Sequence, residues 1–156
     1  MSEHIPLTER DVEVVTWMAA GYVVKQIGPM VGVSKDAVRK QVNRTAERLG
    51  IKGSLQPALV DYAYRHGYIK AAKPTKLRPL PARHRQILRL VAKGLGYREI
   101  AAKLDISPFS VRSHQRRIHK ALGAETNAQA VAVAWEAGLL RGSGVAASNS
   151  TKGSTT

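Results

Sequence analysis

Hydrophobic residues recur every three or four positions along most of the chain, in eight short stretches separated by turns. In one stretch Ile87, Leu88 and Val91 fall on a single helical face and lead to a turn that contains glycine. A two-turn helix is then expected over 97–104, and a longer one over 107–122. Because the helical period is kept from stretch to stretch, the sequence predicts an all-α fold.

Polar residues between these stretches supply start and stop signals for the helices. Ser107 is suited to cap the 107–122 helix, and Pro108 follows at the first helical position, where a missing N–H costs nothing. Gly123 provides a C-terminal stop. Near the N-terminus, Thr8 with Asp11 three residues later resembles a capping box.

The pattern of the first half of the chain repeats in the second half. A shift of 73 residues aligns the first part of the two copies, and a shift of 71 aligns the rest, so one loop of the first copy holds two extra residues. Each copy therefore contains four helices, the last being an Ala/Val-rich helix over 127–137 in the second copy. The matched pairs include Leu7 with Leu80, Gly21 with Gly94, Ser34 with Ser107, Arg39 with Arg112, and Gly67 with Gly138.

Prolines, glycines and charge divide the chain into four predicted segments. Residues 1–69 and 80–140 are the repeated domains, 70–79 is a basic linker interrupted by two prolines, and 141–156 is a Gly/Ser/Thr-rich tail expected to be disordered. The first domain carries 9 basic and 7 acidic side chains, and the second carries 10 and 4. The positive field is therefore expected on the linker and the second domain.

Composition narrows the range of functions. A net charge of +14 over 156 residues indicates a polyanionic partner. The absence of cysteine excludes disulfides, thiol nucleophiles and cysteine-bound metals, and no apolar run approaches the ~18 residues of a membrane span. His114 and His119 have no third ligand nearby, and no nucleophile–base pair is evident. We therefore expect no metal, cofactor or enzymatic activity, no contact with membranes, and a cytoplasmic, nucleoid-associated protein.

The second and third helices of each copy have the pattern of a helix-turn-helix. Small residues, Ala101 in the second copy and Gly28 in the first, allow these helices to approach closely. Residues 105–107 make the turn in the second copy, which leaves the N-terminal half of the next helix free to enter a major groove. In the first copy Pro29 interrupts the second helix, which predicts a kink or a shortened helix.

At these residues each copy resembles the LuxR-type (GerE-type) DNA-binding domain. The family pattern is L-T-x-R-E, A-x-G, I-A-x-x-L-x-I-S-x-x-T-V-K-x-H, K-L-G and a last helix ending in G-L-L. The second copy has L-P-A-R-H, A-K-G, I-A-A-K-L-D-I-S-P-F-S-V-R-S-H and G-L-L, and the first has L-T-E-R-D, A-A-G, I-G-P-M-V-G-V-S-K-D-A-V-R-K-Q and G-Y-I. The resemblance implies two tandem four-helix domains that bind double-stranded DNA and regulate transcription.

The resemblance also implies which side chains meet the DNA. Base edges would be read in the V-K-x-H-x-x segment by Arg112, Ser113 and Arg116 in the second copy, and by Arg39, Lys40 and Asn43 in the first. Phosphates would be contacted by Ser110, Arg117 and Lys35, and by Arg98 or Lys25. Arg44, the repeat partner of Arg117, and His114 complete the set; packing between helices is the alternative role for His114.

The first copy departs from the family pattern in its third helix. Ala37 stands in the place of the family's threonine, and Gln41 in the place of its histidine. Asp36 would repel phosphate, and the first domain is nearly neutral. The first copy is therefore expected to be the weaker DNA reader, or to dock a partner or the other copy. In the second copy, Gln115 places a polar group at a position expected to be half-buried.

The sequence leaves the mode of assembly and two other functions open. Family members bind as dimers through the last helix, so we expect either a single-chain pseudo-dimer or a homodimer through 127–137. A ten-residue linker spans at most about 33–36 Å, which suits half-sites about 34 Å apart. The second copy also resembles region four of sigma factors, which implies binding to RNA polymerase and promoter DNA, although the final G-L-L helix argues against this. A third reading is a non-specific nucleoid or RNA-binding protein. The few aromatic residues, 5%, argue against recognition of single strands by base stacking.

Overall fold

The structure, a computed structural model, describes residues 5–71 and 79–140, and these residues fold into eight α-helices. The all-α prediction is confirmed. Most of the predicted linker and the predicted tail, residues 141–156, lie outside the described residues. The helices are α1 (Glu9–Ala19), α2 (Val24–Val31), α3 (Lys35–Leu49), α4 (Leu55–Arg65), α5 (Ala82–Ala92), α6 (Tyr97–Leu104), α7 (Pro108–Leu122) and α8 (Asn127–Glu136).

Equivalent helices of the two copies match closely in length. Helices α1 and α5 have 11 residues each, α2 and α6 have 8, and α3 and α7 have 15. Helix α2 is thus not shortened by Pro29, which lies near its C-terminal end. Helix α8 ends at Glu136, one residue before the predicted end.

The predicted caps are present at the ends of the helices. The side chains of Ser34 and Ser107 accept hydrogen bonds from backbone N–H groups in the first turns of α3 and α7. Thr8 and Asp11 form the reciprocal capping box of α1. The turn after α6 passes through Asp105 at φ 58°, a left-handed conformation for which the first copy uses Gly32.

Both copies share a hydrophobic core that continues across the boundary between them. Helix α4 packs along α8, α1 also packs on α8, and α5 packs on α4. Val60 and Ala63 from α4 are fully buried, as are Val131 and Ala134 from α8. The fourth helices, one from each copy, therefore form the centre of the described structure.

The contact between α4 and α8 is built around two aromatic residues at equivalent repeat positions. Tyr64 and Trp135 stack on each other, with ring centroids 5.9 Å apart and an interplanar angle of 9°. Matched positions meet in this way when two similar units pack about an approximate twofold axis. The contact between the copies therefore joins equivalent positions of their fourth helices.

Polar partners around this stack differ between the copies. The Trp135 indole Nε1–H donates to Asp61 at 2.9 Å, and the Tyr64 hydroxyl donates to Glu136 at 2.9 Å. Arg65 is paired with Asp61 at 3.1 Å and lies over the Trp135 ring. Burial raises the pKa of Asp61, against the opposing effects of Trp135 and Arg65. The repeat partner of Asp61 is an alanine and that of Arg65 is Glu136, so the contact joins unlike surfaces.

A second contact between the copies requires a glycine. The Ser54 N–H donates to the Gly94 carbonyl at 2.7 Å. Gly94 has φ +93°, and a Cβ atom there would lie 2.9 Å from the Lys52 carbonyl oxygen. The glycine of the A-K-G segment is therefore explained both by its backbone conformation and by its close approach to the first copy.

Candidate nucleic-acid interface

Helix α7 presents a basic outer face. Its buried side carries Val111, Ile118 and Leu122, and α6 packs against it to form the predicted helix-turn-helix. Positions three, four and seven residues apart lie on one face of a helix, and here that face is opposite the core. Its members are Phe109, Arg112, Arg116 and Lys120, all exposed, with Ser113 half-buried among them.

Two arginines of the second copy contact one aromatic ring. The guanidinium carbon of Arg112 lies 5.1 Å from the Tyr97 ring centroid, and that of Arg98 lies 5.3 Å from it. Tyr97 begins α6, so the ring links the start of α6 to the outer face of α7. Cation–π contacts of this kind restrict a long side chain without neutralising its charge. Tyr97 therefore restrains Arg112 on the surface where DNA contact is predicted.

Sequence reasoning missed Tyr97. Its repeat partner is Val24, which lacks an aromatic ring, so comparison of the copies gave no signal. The one available clue was an aromatic residue directly before Arg98 at the beginning of a helix.

The remaining predicted phosphate contacts of the second copy have different surroundings. The Ser110 hydroxyl accepts from Ser107 Oγ at 3.0 Å, so it takes part in the N-cap of α7. Arg117 is exposed on the flank of α7, and Arg98 is exposed on α6. Gln115 is half-buried, as the sequence predicts.

The side chain of His114, a residue of α7, lies at the contact between α7 and α5. Its Nδ1 is 3.1 Å from His84 Nε2, and the two rings meet edge to face with centroids 5.1 Å apart. This geometry favours the packing role over contact with DNA. Burial of His84, together with the nearby charges of His114 and Arg117, lowers the pKa of His84.

The lowered pKa of His84 predicts a loss of stability in weak acid. The unfolded chain protonates this imidazole near pH 6.5, whereas the folded chain resists its protonation, so stability falls as the pH drops below about 6.5. We expect the melting temperature to decrease between pH 7.5 and 5.5, and to decrease less in His84→Gln. Thermal unfolding followed by circular dichroism gives the melting temperatures of the wild type and of His84→Gln. Equal decreases of the melting temperature in the two proteins would contradict the assignment to His84.

The first copy has a carboxylate where the second has His84. Asp11 is buried and its two oxygens accept hydrogen bonds from Gln41 at 2.9 Å, Thr45 at 2.8 Å and Arg48 at 3.0 Å. Burial alone would raise the pKa of Asp11, but these bonds and the Thr8 N–H outweigh it and lower the pKa to about 2. Asp11 and Gln41 are the repeat partners of His84 and His114, so each copy joins its first helix to its third through the same two positions.

Helix α3 has a different outer face from α7. The exposed Arg39 forms an ion pair with Asp36 at 2.9 Å. The other predicted contacts of the first copy, Lys25, Lys35, Lys40, Asn43 and Arg44, are exposed. The outer face of α7 carries three cations and no anion, whereas the equivalent positions of α3 carry two cations and two anions. These five positions of α3 are Asp36, Arg39, Lys40, Asn43 and Glu47.

Two other kinds of feature are absent from the described residues. Across 5–71 and 79–140, no three or more acidic or histidine side chains come together in a group that could hold a metal ion. None of the helices described is long and apolar enough to cross a membrane.

Comparison with protein families decides the class of these domains. The family described as bacterial regulatory proteins of the luxR family matches the chain twice, over residues 5–61 and 78–134. The chain belongs to the LuxR family. Each match begins before the first helix of one copy and ends within its fourth helix, so the tandem LuxR-type organisation is confirmed.

Individual relatives of this LuxR-family chain are regulators of greater length. The chain is similar to the probable transcriptional regulatory protein NarL of Mycobacterium tuberculosis, in strains CDC 1551 / Oshkosh and ATCC 25618 / H37Rv. In both cases 39% of 61 residues are identical, covering 39% of this chain and 28% of the relative. The match thus spans less than a third of the relatives' length. No solved structure gives a significant match.

Proposed function

We propose that this LuxR-family chain is a sequence-specific, double-stranded-DNA-binding transcriptional regulator that reads the major groove with α3 and α7. The observation that carries the proposal is the outer face of α7, where Arg112 and Arg116 are exposed at helical spacing on the third helix of a LuxR-type domain. Arginine is well suited to the acceptor atoms of guanine in the major groove. The proposed activity requires no cofactor and no catalysis, and it implies a nucleoid-associated protein in the cytoplasm.

We infer that the two copies contribute unequally. The face of α7 is cationic, and Tyr97 holds Arg112 along it. On α3, Asp36 engages Arg39 at 2.9 Å and would repel a phosphate. The second copy would therefore supply most of the affinity, and the first copy would add a weaker set of contacts through Lys40 and Asn43.

We further propose that one chain acts as a pseudo-dimer. Helices α4 and α8 pack through equivalent positions, as the fourth helices of two subunits would in a homodimer. Within the chain, α8 already buries Val131, Ala134 and Trp135. A homodimer through 127–137 would have to displace α4, and the intramolecular arrangement is therefore favoured. Tethering keeps the weaker domain at an effective concentration of order millimolar beside the DNA.

The resemblance to sigma-factor region four receives no specific support. That resemblance rests on the second copy alone, whereas the family match includes both copies. It also assigns no role to α8, which packs into the centre of the described structure. RNA polymerase is therefore not included among the proposed partners.

The proposal is tested by selection of bound fragments from a genomic DNA library. The wild-type chain is expected to enrich a motif with two unlike half-sites about 10 base pairs apart, centre to centre. Enrichment of fragments without any common motif would contradict sequence-specific binding, and enrichment of a single short half-site would contradict the contribution of α3.

A further inference from the structure

Phe109 is the most exposed large hydrophobic side chain in the described residues, with 75% of its surface accessible. It is the second residue of α7. Single exposed hydrophobic residues are common on protein surfaces, so the exposure alone carries no function. The position is informative because Phe109 lies on the same helical face as Arg112 and Arg116, at the end of α7 proposed to enter the groove.

Helical geometry places these three side chains in a row. Arg112 follows Phe109 by three residues and Arg116 by seven, which corresponds to ~4.5 Å and ~10.5 Å along the axis. The residues that directly flank Phe109 are Pro108 and Ser110, and its neighbours along the face are Arg112, Ser113 and Arg116. The ring therefore stands alone in a basic surface, whereas a protein-docking site would need a larger apolar patch.

The major groove offers one apolar feature to such a ring, the C5 methyl group of thymine. We propose that Phe109 is a further specificity-determining residue that contacts a thymine methyl in the half-site read by α7. This inference rests on the proposed function. It adds thymine to the bases that the α7 arginines would read.

The first copy cannot make the same contact. Asp36 occupies the equivalent position and is engaged by Arg39. A thymine methyl group beside the Asp36 carboxylate would meet a charged group instead of an apolar ring, so the contact would not stabilise binding. The thymine preference is therefore confined to one half-site, which makes the complete DNA site non-palindromic and gives the bound chain a single orientation.

The test uses the site recovered by selection and replaces each thymine of the α7 half-site, one at a time, by uracil. Uracil differs from thymine only by lacking the methyl group. We expect at least one replacement to weaken wild-type binding by about 3- to 10-fold, the scale of one buried methyl group. Phe109→Ala should bind the original site more weakly by a similar factor and be indifferent to that replacement. Phe109→Leu should retain part of the preference, and Asp36→Ala, the matched control in α3, should leave it unchanged.

The outcomes separate this inference from the function on which it rests. If wild-type binding is unaffected by every replacement, or if Phe109→Ala responds as the wild type does, the thymine contact is wrong even though a specific site exists. If no site is recovered, the proposed function fails and the contact fails with it. Circular dichroism of Phe109→Ala checks that a weaker affinity does not come from unfolding. If Phe109→Ala binds the original and the uracil-substituted sites as the wild type does but loses binding to a partner protein, Phe109 is a protein-docking residue and the proposal is overturned.

Discussion

Replacing Arg112 and Arg116 together by alanine is expected to lower the affinity for the selected site by about 100-fold or more. Each arginine that pairs with a guanine contributes ~1–3 kcal/mol of discrimination. Both side chains are exposed on the outer face of α7, so their removal leaves the core of the second copy intact. The measurement is a binding titration against the selected site and a scrambled duplex, and the loss should be much larger on the selected site.

Two control variants distinguish base reading from general attraction to DNA. Arg117→Ala, which removes a predicted phosphate contact, should weaken binding to both duplexes by similar factors and reduce the slope of log affinity against log salt by about 0.9. The double variant Arg39→Ala/Asn43→Ala should lose less affinity for the selected site than the double variant Arg112→Ala/Arg116→Ala. An equal loss of affinity for both duplexes from the α7 pair would contradict the assignment of base contacts to Arg112 and Arg116.

Trp135→Ala is expected to be the most destabilising single change at the contact between the copies. Trp135 is only 7% exposed, stacks on Tyr64, and donates its indole N–H to Asp61. Removing so large a buried side chain costs ~3–5 kcal/mol, and Asp61 loses a hydrogen bond at a buried site. Urea unfolding measures the loss, and DNA affinity should fall as well because α3 and α7 lose their fixed spacing.

A milder change separates the stack from the hydrogen bond. Trp135→Phe keeps an aromatic ring against Tyr64 but removes the donor to Asp61, so it should cost less than alanine. In a Trp17→Phe background, Trp135 is the only tryptophan, and its fluorescence reports on the contact during unfolding. A stability of Trp135→Ala within about 0.5 kcal/mol of wild type would show that the copies do not depend on this contact.

Local signals in the sequence were sufficient for the helices and their ends. The two serine caps, the Thr8–Asp11 capping box and the glycine after α7 act over three or four residues, so spacing alone identifies them. The internal repeat then supplied the domain plan, because it places the same four helices twice. The shortening considered for Pro29 is absent, since α2 has the same length as α6.

Contacts between distant residues could not be predicted in this way. The ring of His84 meets that of His114, 30 positions away, and Trp135 meets Asp61, 74 positions away. No spacing rule connects such residues, because their meeting depends on how helices pack. The departures from the family pattern did carry information: Gln41 replaces the family's histidine and contacts Asp11, and His84 replaces the acidic residue of the L-T-x-R-E segment and contacts the retained His114. Each departure thus lies in the contact between the first and third helices of its copy.

In the arrangement that we propose, one chain presents two unequal recognition helices to a single duplex. Native mass spectrometry of the complex formed on the selected site, together with a hydroxyl-radical footprint, tests this arrangement. We expect one chain per duplex and protection of two segments about 10 base pairs apart, with the segment bound by α7 persisting at higher salt. Two chains per duplex, or protection of one segment only, would contradict the pseudo-dimer.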